Sequence, residues 1–313
     1  MTGPRGHHLR AELRDFAEQQ APQLPLPGRG ATPDRFAALA ELGRGDLSVT
    51  RLCEAHADAL AIMADAGHEP PEGATFGVWA ARGRTQVVEA TRREDGWHLR
   101  GEKPWCSGVG SVSHALVTAE AEEGAVLVSV PVEADGIEVT DRPWAAPAFA
   151  ELGTVTLAFD VTVPLSDQIG AVRSYLDRPG FWHGASGVAA CWAGGLAGLV
   201  ERAEPWWRND PHAAVHRAAL EARAWAVSEL VAATGRDIDA HPSDTGRAHV
   251  SALRLRHLVD DAVTEGLMRF RRACGPAPFA FDEELGRHVA ELELYVRQSH
   301  AERDLEALSV ASV

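Results

Sequence analysis

Apolar and polar positions follow two different rhythms along this chain, and the change between them sets its organisation. From Leu9 to Gln20 the residues Leu9, Leu13 and Phe16 recur at helical spacing until Pro22 through Pro27 interrupts them. A second helical stretch starts at Thr32 with Pro33 in its first turn. It carries Phe36, Leu39 and Leu42 and stops at Gly43-Arg44-Gly45. A third starts at Asp46 or Ser48 and shows a stripe of Leu52, Ala55, Ala59, Ile62 and Met63. Glu54 and His56 lie two apart on it and point to different faces, so they form no joint metal site.

Beyond Gly67 to Gly73, a linker that holds Pro70 and Pro71, the period shortens to two. Thr85–Thr91, Trp97–Gly101, His114–Ala119, Ala125–Val132, Ile137–Thr140 and Thr154–Phe159 read as short strands. Asp95-Gly96, Glu123-Gly124 and Asp135-Gly136 mark turns between some of them. Evenly spaced strands over about ninety residues predict a compact antiparallel barrel or sandwich. From Pro179 the helical period returns. Phe181–Ala203 is dense in glycine, which weakens helicity but admits a close neighbour, so it is expected to be buried. Pro211–Ala233, Arg247–Ala273 and Glu283–Leu308 follow as helical stretches, with Asp210 as an N-cap and Gly235 and Gly275 as stops. Helices, then strands, then a four-helix region give an α+β fold. The expected domains are an N-terminal helical domain at 1–72, a β-domain at 73–165 and a C-terminal helical bundle at 166–313.

Composition narrows the class. With 313 residues, 45% hydrophobic and 24% charged, the chain suits a soluble globular protein of two or three modules. A formal charge of −15 opposes a nucleic-acid or anionic-membrane partner. No apolar run is long enough to span a bilayer, and Met1 to His8 lead into no signal-peptide core, so a cytoplasmic location is expected. Cys53, Cys106, Cys191 and Cys274 are widely spaced with no Cys-x-x-Cys pair, and are read as reduced, mostly buried residues.

The chemistry centres on Trp97 to Gly108. Within it, Trp105-Cys106-Ser107-Gly108 places a flat ring, a hydroxyl and a flexible glycine inside four residues. A flat aromatic ligand needs such a face, an edge donor and close backbone, whereas a hairpin with a buried Trp and a turn Ser needs the same letters. Other patterns are thinner. His212 and His216 are four apart with Asp210 nearby, but no Glu-x-x-His occurs, so no metal is expected. Gly184-Ala185-Ser186-Gly187 falls one glycine short of a nucleophile elbow, and the glycines at 77, 194, 195 and 198 form no dinucleotide fingerprint.

The stretch Asp95-Gly96-Trp97 through Lys103-Pro104-Trp105-Cys106-Ser107-Gly108 resembles a segment of the acyl-CoA dehydrogenase superfamily whose Trp-x-Ser/Thr edge meets a flavin ring. Gly77-Val78-Trp79-Ala80-Ala81 resembles the family's partner segment, and the likeness runs from about Asp46 to the end of the chain. The resemblance implies FAD, with Trp79, Ala81, Trp105, Cys106 and Ser107 around its ring. It implies a homodimer or homotetramer, in which Arg208 and the Arg271–Gly275 segment meet the diphosphate or a neighbouring subunit's FAD. The matching segments depart from the family at Ala80-Ala81, at Pro211-His212 and at Cys274, where a second glycine is missing. The family's catalytic glutamate falls at Ser299 and its glycine at His300; a serine cannot take an α-proton. Some family members carry the base on another helix, and related monooxygenases keep a histidine by the ring, a part that His300 could play. The expected activity is dehydrogenation of an acyl thioester, acyl-CoA among the candidates, or of a related small metabolite. Flavin-dependent monooxygenation and a flavin-free binding or structural role are the alternatives.

Overall fold

The structure, a computed structural model, describes residues 4–140 and 144–311; Met1 to Gly3 of the N-terminal stretch read above lie outside them. In chain order it comprises α1 (Pro4–Asp15), α2 (Thr32–Gly45), α3 (Leu47–Ala66), β1 (Phe76–Trp79), β2 (Val88–Arg92), β3 (Trp97–Cys106), β4 (His114–Ala121), β5 (Gly124–Pro131), β6 (Ile137–Val139) and β7 (Val155–Val163). Helices α4 (Ser174–Asp177), α5 (Pro179–Arg202), α6 (Pro211–Ala240), α7 (Thr245–Cys274), α8 (Ala277–Phe281), α9 (Glu283–Tyr295) and α10 (Glu302–Ala311) follow. The fold is α+β, with helical parts at both ends and a sheet between them. The chain divides into two compact units, residues 1–23 with 51–181 and residues 24–50 with 182–313.

The first unit is organised on a seven-stranded sheet in the order β1-β4-β2-β3-β7-β6, with β5 paired to β4. The sheet is mixed where period-two alternation suggested antiparallel pairing throughout. β1 and β2 both run parallel to β4. Alternation reports which face a residue occupies and is blind to strand direction. The direction of β1 is set by a tie at its start. Thr75 N–H donates to Ser113 Oγ (3.0 Å) and Ser113 N–H to Thr75 Oγ1 (3.1 Å), so both strands leave the same point together. β1 itself escaped the pattern because four residues are too few to show a period. Residues Ala59, Ile62 and Met63 of α3 pack with Phe76, Leu116, Leu127 and Ile169 as one buried cluster, the apolar stripe read from the sequence.

The second unit holds α2 and the long helices from α5 onward. α2 and α5 cross at a point where both backbones need small residues. A Cβ on Gly194 would lie 1.9 Å from the Ala40 carbonyl oxygen, and one on Gly43 2.2 Å from that of Cys191. The glycine-dense segment is thus buried, as expected. Gly43 serves this crossing inside α2, and the helix ends two residues later. Gly235 likewise does not stop α6, which runs on to Ala240; the backbone of Pro33 in α2 lies where its Cβ would be. Asp210 caps α6 by accepting from the N–H groups of His212 (2.9 Å) and Ala213 (2.8 Å). Gly275, at φ +68, ends α7. The continuous helix expected over Glu283–Leu308 is instead broken. α9 tightens into a 3₁₀ turn at Val296–Gln298, Ser299 is extended, Ala301 takes φ +47, and α10 begins at Glu302. No helix among the described residues is long and apolar enough to cross a membrane. All four cysteines are buried, and none is joined in a disulfide.

Candidate functional site

In the first unit, β3 and β7 pair in register from Trp97 to Lys103 and slip between Lys103 and Cys106. The irregularity re-aims one side chain, as bulges do. Trp105 sits there at φ +63, a conformation that costs a bulky residue about 1–2 kcal/mol, and its ring is 59% exposed. Trp144 meets it edge to face, centroids 6.1 Å apart at 82°, so the exposed Trp105 indole and the half-buried Trp144 indole form a corner. The Trp144 N–H is anchored on the Ala148 carbonyl at 2.8 Å.

Around this corner the neighbours are fixed. Thr154 Oγ1 donates to Ser107 Oγ at 3.0 Å, which leaves the Ser107 hydroxyl hydrogen to donate elsewhere. Trp79 is 2% exposed and donates its indole N–H to the Ser107 carbonyl at 3.0 Å. Its ring supports Ser107 from within, and its only donor is committed. Cys106 is fully buried, its thiol on the Lys103 carbonyl at 3.3 Å, and burial pushes that thiol up to about 12. Ala81 is exposed just beyond β1. Lys103 is 4% exposed and donates to Thr118 through both its carbonyl and its Oγ1, each at 2.6 Å; burial brings the ammonium down to about 8. Sequence reasoning missed Trp144 and Thr154, which lie far along the chain from Trp105 and Ser107 and so left no local pattern.

In the second unit, Arg208 is exposed and lies near the C-terminal end of α7, its Nη2 3.5 Å from the Arg272 carbonyl and its Nε 3.4 Å from Asp210. A guanidinium there complements the helix dipole. Gly275 shares that end, and a Cβ added to it would meet open space. Arg271 turns away to pair with Glu293 of α9. Ser299 and His300 occupy the break before α10. Ser299 Oγ accepts the Ala301 N–H at 3.2 Å, and His300 Nδ1 lies 3.2 Å from Asp304 Oδ1 with its side chain 64% exposed. No carboxylate lies in that turn, and Glu302, the first beyond it, is exposed. Among the described residues no group of three or more His, Cys, Asp or Glu is placed to hold a metal ion.

A flavin needs an aromatic wall for its ring, a donor at its edge and cations for its phosphates. In the first unit Trp105 with Trp144 offers an aromatic face and Ser107 a hydroxyl beside it, which fit a flavin ring; in the second unit Arg208 is an exposed cation of the kind a phosphate takes.

No protein-family model matches the sequence, and no curated protein sequence matches it either. Solved structures match over almost the whole chain. Butyryl-CoA dehydrogenase from Megasphaera elsdenii superposes with a TM-score of 0.78 at 16% identity, over 99% of this chain and 98% of that one. The dibenzothiophene monooxygenase TdsC from Paenibacillus sp. A11-2, in complex with FMN and indole, gives 0.78 at 15% identity over 97% and 95%. PigA with FAD and proline gives 0.75 at 14% identity over 99% and 97%. The chain has the fold of the acyl-CoA dehydrogenases.

Proposed function

We propose that this protein is a flavin-dependent oxidoreductase that binds FAD and acts on a small molecule. The observation that carries the reading is Trp105: a bulky residue kept at positive φ with its ring exposed, two positions before a hydroxyl with a hydrogen to donate. Backbone strain of this kind persists where surroundings enforce it and clusters at ligand sites. The proteins of like fold bound to FAD or FMN support a flavin as the ligand. In the first unit Trp105 and Ser107 bind the ring while Trp79 and Thr154 hold Ser107 in place; in the second unit Arg208 is the candidate cation for a phosphate. When bound, the flavin supplies the two-electron chemistry; the protein supplies the wall, the edge donor and a proton carrier.

The turn before α10 favours oxygenation over acyl-CoA dehydrogenation. By the resemblance Ser299 falls at the position of the family's base, and the half-buried carboxylate of Asp304 in the next helix is engaged by His300 and Arg256. His300 is then the group that accepts and returns protons.

The test is the visible absorption of the purified protein before and after incubation with excess FAD or FMN and desalting. Retained flavin bands are expected, with no anaerobic bleaching by acyl-CoAs. A colourless protein that also refuses both flavins overturns the cofactor and leaves a binding or structural role; bleaching by an acyl-CoA restores the dehydrogenase.

A further inference from the structure

The break between α9 and α10 is held from behind by a buried cation. Arg256 projects from the apolar stripe of α7, between Ala252 and Val259, and is 8% exposed. Its guanidinium lies 4.6 Å over the Trp192 ring, donates to the Ala185 carbonyl (3.2 Å) and the Gln298 carbonyl (2.7 Å), and approaches Asp304 Oδ2 at 3.9 Å. Gln298 is the last residue before the break, so one side chain fixes where the turn begins and faces the carboxylate beyond it. Asp304, only 12% exposed, uses both oxygens on His300: Oδ2 accepts the backbone N–H at 3.2 Å, and Oδ1 meets ring Nδ1 at 3.2 Å.

We propose that Arg256 and Asp304 are positioning residues that turn exposed His300 into a proton carrier with a fixed tautomer. The inference rests on His300 having the role given above. A carboxylate on Nδ1 keeps the hydrogen there and leaves the Nε2 lone pair facing out. When Nε2 takes a proton from an O–H or N–H of the ligand, the imidazolium charge forms beside Asp304. Arg256 faces Asp304 from behind at 3.9 Å, and Nε2 later returns the same proton. A helix cap alone needs only the Oδ2 contact to the backbone. The ring contact and the buried arginine exceed that need, and Ala301 at φ +47 shows the turn being held against its local preference. Another titratable group facing Asp304 is His249 of α7, stacked on Trp182 with centroids 4.0 Å apart. Burial lowers it despite the attraction of Asp304, so it adds no competing cation at neutral pH.

The test uses the full chain without added flavin, so it is independent of whether flavin binds. Long-range proton–nitrogen NMR reads the His300 tautomer, and carbethoxylation by diethyl pyrocarbonate, followed by peptide mass spectrometry, reads Nε2 nucleophilicity at each histidine. The wild type is expected to show hydrogen on Nδ1. Asp304→Asn, which keeps helix-capping ability, is expected to slow modification of His300 several-fold while exposed His241 reacts at its former rate. An Nε2–H tautomer in the wild type overturns the proposal even where the variant does not fold. So does an Asp304→Asn protein whose His300 reacts as fast as before. Retained flavin bands with a failed tautomer test would remove the relay and leave the cofactor reading intact.

Discussion

Trp79 and Ser107 are joined by one hydrogen bond, indole N–H to carbonyl at 3.0 Å, and that bond ties β1 to the end of β3. The indole also lies over Gly77, where a Cβ would come within 2.9 Å of its nitrogen, so the ring fills the space beside the candidate edge donor. Trp79→Phe keeps much of the packing and strands a carbonyl, and should cost about 1–3 kcal/mol. Trp79→Ala loses the ring as well and should cost about 3–5 kcal/mol. Urea unfolding measures both. A Phe variant as stable as the wild type would show that the bond does not hold the two segments.

Trp105 behaves oppositely because its ring is exposed. Little packing is lost on truncation, and glycine accepts φ +63 without strain, so Trp105→Gly should be as stable as the wild type or more so by about 1 kcal/mol. The same variant should retain far less flavin after desalting. A clear loss of stability would mean that Trp105 is packed as a structural residue; full flavin retention would remove it from the ring site.

The helices were legible because their apolar stripes recur over three turns or more, and Asp210 and Gly275 signal their caps chemically. What failed did so for physical reasons. Gly235 looks like a stop, but a glycine inside a helix serves equally to admit a neighbour, and only the position of Pro33 decides. The break at Ser299 has no proline or glycine to announce it; Arg256, distant in the chain, fastens the Gln298 carbonyl before it, and Asp304 takes the His300 N–H beyond it. Trp105 was legible as an aromatic beside a hydroxyl, but its exposure follows from the slip between β3 and β7, which period-two alternation does not encode. Arg256 left a readable trace, a charge in the buried stripe of a helix, that finds its meaning only in the turn it fastens.

Acid should destabilise the protein through two buried imidazoles. His56 Nδ1 accepts the Phe76 N–H at 3.2 Å between the rings of Phe16 and Phe76, and burial lowers it to about 4. His288, with Nε2 2.8 Å from the Gly195 carbonyl, is brought to about 4 chiefly by burial. The folded protein therefore binds fewer protons than the unfolded chain between pH 4 and 6.5. Stability is full above the ordinary histidine value and falls as the pH drops through that window, by about 2 kcal/mol per histidine at pH 5. Urea unfolding at pH 7 and pH 5 measures the loss. His56→Asn and His288→Asn should each lower stability at pH 7 but flatten its pH dependence. Equal pH dependence in wild type and variants would show that both imidazoles reach water when protonated.

Arg208 allows the phosphate end of the ligand to be tested separately from the ring. Its contacts are exposed, with Asp210 at 3.4 Å and a long approach to the Arg272 carbonyl, and such pairs add about 0–1 kcal/mol to stability. Arg208→Ala should therefore unfold close to the wild type. A guanidinium donates two parallel bonds to a phosphate, and riboflavin carries no phosphate to accept them. The variant should lose affinity for FAD while binding riboflavin as the wild type does, and fluorescence titration with the two ligands reads the difference. Equal losses for both would mean that the substitution reaches the ring site through the fold. An unchanged FAD affinity would leave Arg208 as a guanidinium at the end of α7, serving the helix rather than a ligand.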